Sequence, residues 1–349
     1  MKNTVIGIDI SKKSTDWCLM RGTEVVSYHR VDNEASAIER HLQELMDLYL
    51  IDKCDLMVCA EHTGHYIYPL AIACQNKQVD LWLESGYNIK CEARKERGKS
   101  DKEDSRRIAE YGYKNRQDAR YYSIPEHDMA VLESLLSERA DYVAERAKLE
   151  GQLNDQKGYT DTEVYKAKAK RQKNLIRQYD GLIEETEKEL ERLMKENKTM
   201  GHQAALLETI PGVGRQTAMR MIAATRGFTL FENGRQFCCY AGTAPFEYTS
   251  GTSIRSKHRV SQRANKSLKA MLHLCALAVA RRCKQNHFSD YYQRKVEEGK
   301  NPMSVLNAIR SKLVLTMFAV IRTDQPYSPQ IVHNYVEKFS IKPIAITKE

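Results

Sequence analysis

The sequence predicts a mixed α/β domain followed by two mainly helical regions, and three observations carry that reading. Over residues 1–125, apolar runs of strand length alternate with amphipathic stretches of helical period. Residues 126–200 are rich in Glu, Lys, Leu, Arg and Gln and contain no proline, the composition of long helices. Residues 201–349 turn basic, with apolar helical faces separated by glycine- and hydroxyl-rich loops. These ranges are the expected domains.

In the first region, strands are expected at 4–10, 15–21, 24–29, 54–61, 79–84 and 119–122, and helices at 34–48, 67–75 and 101–113. Three opening strands as a meander, followed by β/α alternation, is the chain order of an RNase H-like (RuvC-like) domain. Trp17 and Trp82 fall in strands and are assigned to its core. In the second region, Leu132, Leu135, Leu136, Tyr142, Val143, Leu149 and Leu153 mark one helix. Ile176, Tyr179, Ile183, Leu190 and Leu193 mark another, with Gly158-Tyr159-Thr160-Asp161 as the break. An antiparallel coiled-coil hairpin is expected, as a spacer or as a dimer contact. In the third region, Pro211-Gly212-Val213-Gly214 between two helical stretches reads as a helix-hairpin-helix. Gly212 and Gly214 permit the tight turn and let backbone N–H groups approach a phosphate, with Arg215 beside them. Residues 271–280 and 305–320 read as apolar helix faces.

With 349 residues, 42 % of them hydrophobic, the chain can bury a full core. No uninterrupted apolar run reaches the length of about 18 residues that a membrane span needs, and residues 1–4 lead into a strand, not a signal peptide. The nine cysteines are odd in number and lack paired metal spacing, which fits reduced thiols in a cytoplasm. Charge is unevenly divided: residues 1–200 carry 33 Lys and Arg against 37 Asp and Glu, and residues 201–349 carry 22 against 9. Between Glu247 and Asp290 there is no acidic residue, but Arg255, Lys257, Arg259, Arg263, Lys266, Lys269, Arg281, Arg282 and Lys284 are there. Such a run suits a phosphate backbone; a solvated basic face is the plainer reading.

Four carboxylates are placed for chemistry. Asp9 ends the apolar run Val5-Ile6-Gly7-Ile8, and Glu61 ends Leu56-Met57-Val58-Cys59-Ala60. Asp101 and Asp104 lie three apart, on one face of a helix. Such oxygen clusters suit Mg²⁺, or Mn²⁺ in its place, and a pair of ions can steady the attacking and leaving oxygens of a phosphodiester. Each residue has a plainer reading: Asp101 as a helix N-cap, Asp104 as a first-turn acid, Asp9 as a turn residue. All four in one domain favour a site. His62 and His65 flank Glu61, but a zinc site would need more N or S ligands. Tyr248-Thr249-Ser250-Gly251-Thr252-Ser253-Ile254-Arg255 is a hydroxyl-rich loop ending in a cation; on composition alone it is a surface turn.

Six motifs in order resemble one family: Gly7-Ile8-Asp9, Glu61-His62-Thr63-Gly64-His65-Tyr66, Lys99-Ser100-Asp101-Lys102-Glu103-Asp104, and residues 210–214, 237–245 and 248–255. The chain is similar over nearly its whole length to the DEDD transposases of bacterial insertion sequences, which include bridge-RNA-guided recombinases and are related to a pilin-gene invertase. His62 departs from the family's Glu-Ala-Thr-Gly, and Ser105 stands where Ala commonly follows the last Asp. The resemblance implies that Asp9, Glu61, Asp101 and Asp104 hold divalent metal. It also implies that Ser250 forms a covalent phosphoserine with DNA, and that domains of different protomers meet in composite sites, as a homodimer or homotetramer. Donor and target DNA and an element-encoded bridge RNA are the implied partners.

Two rival functions use the same residues. A metal-dependent nuclease or Holliday-junction resolvase would use the four carboxylates with water as nucleophile and would tolerate loss of Ser250. An actin-like kinase or ATPase would use Gly7-Ile8-Asp9-Ile10-Ser11 as a phosphate loop, but no second Asp-x-Gly loop follows. A non-catalytic DNA-binding relative would be expected to lose some of the carboxylates, and all four remain.

Overall fold

The computed structural model describes residues 2–92, 100–246, 249–250, 254–255, 259–260, 264–281 and 286–330; between 245 and 260 it describes the backbone only. Lys257 and Arg263, from the basic run, lie outside the described residues, as do Arg282 and Lys284. The chain divides into two compact units, Met1–Pro125 and Glu126–Glu349.

The first unit is built on β1 (Thr4–Ile10), β2 (Ser14–Arg21), β3 (Glu24–Asp32), β4 (Leu56–Glu61) and β5 (Asp80–Glu84), in the sheet order β3-β2-β1-β4-β5. β1, β2 and β3 form an antiparallel meander, while β4 and β5 run parallel to β1. This mixed order is consistent with an RNase H-like arrangement. Helices α1 (Ala35–Leu48) and α2 (Tyr68–Lys77) serve the crossovers. On α1, Ile38, Leu42 and Leu45 recur at helical spacing and are buried, with Leu70 of α2, in one cluster with Ile6, Ile8, Trp17, Leu19 and Val58. Burying a side chain of this size contributes about 1.5–3 kcal/mol. Trp17 and Trp82 are both core residues.

The opposite sheet face carries α3 (Gly86–Glu92) and α4 (Asp101–Lys114). α4 meets the sheet through Ser105, Ala109 and Gly112, all buried. Small residues at this spacing bring the helix backbone close to the strands. At Gly7 an added Cβ would collide with the backbone N of Ala109 and O of Ser105. At Gly112 it would lie 2.9 Å from Cys59 Cβ and 3.1 Å from Val5 Cγ1. Ser105 is accommodated in this close contact because its hydroxyl donates to Lys102 O at 3.0 Å.

Three details differ from expectation. The segment expected as a strand at 119–122 contributes one isolated bridge, Tyr121 to Trp82. β4 begins at Leu56 because Asp52 caps a 3-10 turn over Lys53–Asp55. Helix α3 was not expected; it is seven residues long and too short to show a period.

In the second unit, α5 (His127–Gln156) and α6 (Thr162–Glu196) pair antiparallel. Arg139 meets Glu187, Arg146 meets Asp180, and Tyr165 reaches the carbonyl of Leu153. Asp161 caps α6 through the N–H groups of Glu163 and Val164. The base of the pair, with Leu132, Leu135, Leu190 and Leu193, shares one core with the helices that follow. These are α7 (Lys198–Glu208), α8 (Arg215–Thr225), α9 (Gly234–Tyr240), α10 (Lys266–Arg281), α11 (His287–Glu297) and α12 (Pro302–Thr323). Between α9 and α10 lie four two-residue strands: β6 (Pro245–Phe246) pairs with β9 (Arg259–Val260), and β7 (Thr249–Ser250) with β8 (Ile254–Arg255). Among the described residues, α12 alone is long and apolar enough to cross a membrane. Here it is a core helix, with Ile309, Leu313, Met317 and Phe318 fully buried.

Candidate active site

Side chains alternate across a strand, so one known position assigns a whole face. Ile6 and Ile8 pack with α1 and α2, which puts Val5, Gly7 and Asp9 on the α4 face. On β4, Val58 and Ala60 join the α1–α2 cluster, which leaves Met57, Cys59 and Glu61 facing α4. The register Asp9↔Asp16 across the hairpin adds Asp16, Asp16↔Arg30 adds Arg30, and Glu61↔Glu84 adds Glu84. Asp9, Glu61 and Glu84 lie at the C-terminal ends of parallel strands, and the N-terminus of α4 delivers Asp101 and Asp104 over the same region.

Electrostatics record the convergence. The Asp9 carboxyl is pushed up to about 6, first by burial and then by the charges of Asp104, Asp101, Glu61 and Asp16. Asp16 is also raised, by burial and by Asp101, against the lowering effect of Arg30. The helix start is capped by Ser100, whose hydroxyl accepts from the Glu103 N–H at 3.2 Å. Asp101 is therefore not consumed as a cap and stands 63 % exposed. Asp104 is held by Arg107 at 2.9 Å. Glu84 accepts from Ser85 N, Asn88 Nδ2 and the Tyr111 hydroxyl, which fixes it beside Glu61.

Glu61 owes its position to a glycine. A Cβ on Gly86 would overlap the Glu61 carboxylate, so the first residue of α3 is the wall against which that carboxylate rests. Gly86→Ala is expected to fold normally, because the side chain can swing aside, and to lose activity by about 100-fold through displacement of one carboxylate. An unchanged melting temperature with reduced activity would bear this out; full activity would contradict it.

Among the described residues, no three His, Cys, Asp or Glu side chains are already closed around an ion position. The donor set is nonetheless all oxygen, the chemistry of a hard divalent cation. The carboxyl of Asp9 is raised first by burial and then by the neighbouring carboxylates. His65 packs its ring on Tyr66, and the His62 N–H donates to Glu84 O at 2.9 Å. Asp16, Arg30, Glu84 and Gly86 escaped the sequence reading. Asp16 had one signal, its place in an alternating strand, but facing Asp9 depends on the hairpin register.

In the second unit, Gly212 has φ +77°, which a glycine adopts freely, and its Cα side is closed by Val279 and Cys275 of α10. Gly214 is the N-cap of α8, with open space around it. Arg215, expected as a phosphate contact, is ion-paired within the unit. Its Nε and Nη2 donate to Glu191 at 2.8 Å each and its Nη1 to Glu208 at 3.0 Å. That bidentate geometry ties α8 to α6 and α7 and uses three of the five guanidinium N–H donors. Ser250 lies in β7 with its backbone opposite Ile254, Arg255 follows in β8, and Arg259 is in β9. Lys266 is exposed and Lys269 half-buried on the first turn of α10.

Comparison with known proteins agrees with both units. Residues 6–156 match a family model described as a transposase, of the DEDD type of IS110 elements, and residues 204–293 match the transposase IS116/IS110/IS902 family. The chain is 26 % identical over 338 residues to the pilin gene-inverting protein of Moraxella bovis, covering 95 % of this chain and 99 % of that protein. It is equally similar, at 26 % over the same length and shares, to the pilin gene-inverting protein of Moraxella lacunata. It is 29 % identical over 126 residues to the uncharacterized 43.6 kDa protein of insertion element IS110 from Streptomyces coelicolor, covering 36 % of this chain and 30 % of that protein. With both family models matched in order and relatives aligned end to end, the chain belongs to the DEDD transposases of bacterial insertion sequences and is a DNA transposase or recombinase.

Proposed function

We propose that this transposase cuts and rejoins DNA through a covalent serine link, with divalent metal held by Asp9, Glu61, Asp101 and Asp104. One observation supports the metal reading: strand ends β1 and β4 and the first turn of α4 bring Asp9, Glu61, Asp101 and Asp104 to one end of the sheet, close enough that the other three add to the burial that raises the Asp9 carboxyl. Mg²⁺, or Mn²⁺ in its place, would supply charge neutralisation at the scissile phosphate and a more acidic attacking group.

The rest of the chemistry belongs to the chain. Ser250 Oγ displaces one bridging oxygen of the phosphodiester. Its proton leaves to solvent, and the freed DNA oxygen takes one up. The phosphodiester bond energy is kept in the phosphoserine link, so that a hydroxyl of the partner strand can attack it and release the serine. Hydrolysis would forfeit that energy, and strand exchange requires it. Gly212 and Gly214, in a helix-hairpin-helix between α7 and α8, would present backbone N–H groups to phosphate, and Arg255, Lys257, Arg259, Arg263, Lys266 and Lys269 would hold nucleic-acid backbone. An element-encoded bridge RNA would choose donor and target by base pairing. The α5–α6 pair, as a coiled-coil hairpin, would serve as a spacer or as a contact between protomers of a cytoplasmic dimer or tetramer with composite sites.

The test is a cleavage assay with Mg²⁺, the element-flanking RNA and a donor–target DNA pair, on wild type, Ser250→Ala and Asp9→Asn, probing for protein bonded to DNA. An adduct in wild type that both variants lose is the expected result. Cleavage by Ser250→Ala alongside an inactive Asp9→Asn would instead make this a hydrolytic nuclease or junction resolvase using water.

A further inference from the structure

The phosphate-loop-like run Gly7-Ile8-Asp9-Ile10-Ser11 continues into Lys12-Lys13-Ser14, the turn that joins the strand of Asp9 to the strand of Asp16. We propose that this turn, together with Arg30, is a phosphate-gripping lip that holds nucleic-acid backbone at the strand side of the carboxylate cluster. The proposal rests on the DNA-cleaving reading above and adds a nucleic-acid contact in the acidic half of the chain.

The turn is held from several directions. The Ser11 N–H donates to Ser14 O at 2.9 Å, and the Ser11 hydroxyl donates to the same oxygen at 2.7 Å. The Asn33 N–H donates to Lys13 O at 2.9 Å, and its Nδ2 bridges Ser11 O at 3.1 Å and Tyr66 O at 3.0 Å. Its two lysines are thus carried on an ordered backbone, which lowers the entropy lost when a phosphate is bound.

Their charges are uncommitted. Lys12 and Lys13 are exposed and, among the described residues, make no ion pair. The cations of α4 are occupied: Arg107 by Asp104, Arg106 by Glu110 at 2.8 Å, and Lys102 over the ring of Tyr28 at 4.2 Å. Arg30 is intermediate. Its Nη2 donates to Ser14 Oγ at 3.0 Å, which ties it to the turn. Its Nη1 stands 3.8 Å from Asp16 and 3.9 Å from Asp101, beyond hydrogen-bond range, and the side chain is 63 % exposed. Such a guanidinium retains donors for a phosphate oxygen.

The placement answers an electrostatic need. A polyanion approaching the crowded carboxylates of this cluster is repelled unless cations stand at the edge. The turn between Asp9 and Asp16 joins two strands that each carry a carboxylate of the cluster, and it carries two lysines with Arg30 hydrogen-bonded to it.

The test uses the full chain with a duplex DNA of arbitrary sequence, without divalent cation, measuring the dissociation constant by fluorescence anisotropy across a salt series. Each phosphate contact contributes about 0.9 to the slope of log affinity against log salt. Lys12→Gln/Lys13→Gln is expected to reduce that slope by about 2, and addition of Arg30→Gln by about 3, with affinity at moderate salt down by about 10-fold or more. Melting temperatures equal to wild type confirm that the exposed substitutions leave the fold intact. A slope equal to wild type in the triple variant overturns the proposal. So does a wild-type slope with an ATP-induced rise in melting temperature that the lysine variant loses, which would make the turn a nucleotide site. The two readings fail separately. An inactive Asp9→Asn alongside a wild-type slope in the triple variant removes the lip and leaves the carboxylate chemistry. Cleavage retained by Asp9→Asn alongside a reduced slope in the triple variant removes that chemistry and leaves the lip.

Discussion

Gly7→Ala is expected to be the most damaging single-methyl change in the N-terminal unit. The added Cβ meets backbone atoms of α4, Ala109 N and Ser105 O, and backbone cannot rotate aside as a side chain can. Overpacking of a core commonly costs about 1–3 kcal/mol, and a clash with main chain belongs at or above the top of that range. For a unit of this size about 3 kcal/mol lowers the melting temperature by more than about 10 °C. The helix that must move carries Asp101 and Asp104, so activity should fall with stability. Thermal denaturation by circular dichroism, with cleavage measured below the transition, checks both. A variant that melts with wild type would show that α4 does not rest on β1 as described.

Asp9→Asn is expected to do the opposite to stability and the same to activity. A carboxyl raised from 3.8 to about 6 favours its protonated form in the folded state. Its contribution to stability is fully present below about pH 4 and is lost as pH rises through about 6. Above pH 7 the metal-free wild type therefore carries a strained charge. A rise from 3.8 to about 6 corresponds to nearly 3 kcal/mol, which partial exposure of the group and solvent screening reduce to about 1–2 kcal/mol. Asp9→Asn should melt a few degrees above metal-free wild type at pH 7.5 and show little difference at pH 4. Saturating Mg²⁺ should close the gap from the wild-type side only, while the variant loses cleavage by about a thousandfold. A wild type and variant that melt together across this pH range would mean that Asp9 does not sit in the field of the other carboxylates.

Much of the first unit was legible because its signals are local. Apolar runs of strand length and an amphipathic α1 announce themselves within a few residues, and Asp9 and Glu61 stand out as carboxylates ending such runs. The pair at 101 and 104 is set on one face by helical geometry alone. The long helices α5 and α6 were legible for the same reason, since charged, proline-free composition over 30 residues or more has one regular outcome.

What escaped the sequence depends on contacts between distant residues. Asp16 joins the cluster because β1 and β2 pair in the register that sets it opposite Asp9, and a slip of one residue would turn it to the other face. Gly86 shapes the site by having no side chain, which only the position of Glu61 makes meaningful. Arg215 has the sequence context of a phosphate contact, and its pairing with Glu191, 24 residues earlier, is set by the fold. By itself the sequence determined the kinds of element, the carboxylates available and the basic character of the second unit, because periodicity, residue type and charge are properties of the chain. Only the tertiary structure decided which charges meet and which are cancelled, because Coulomb interactions and close packing depend on distances that folding alone sets.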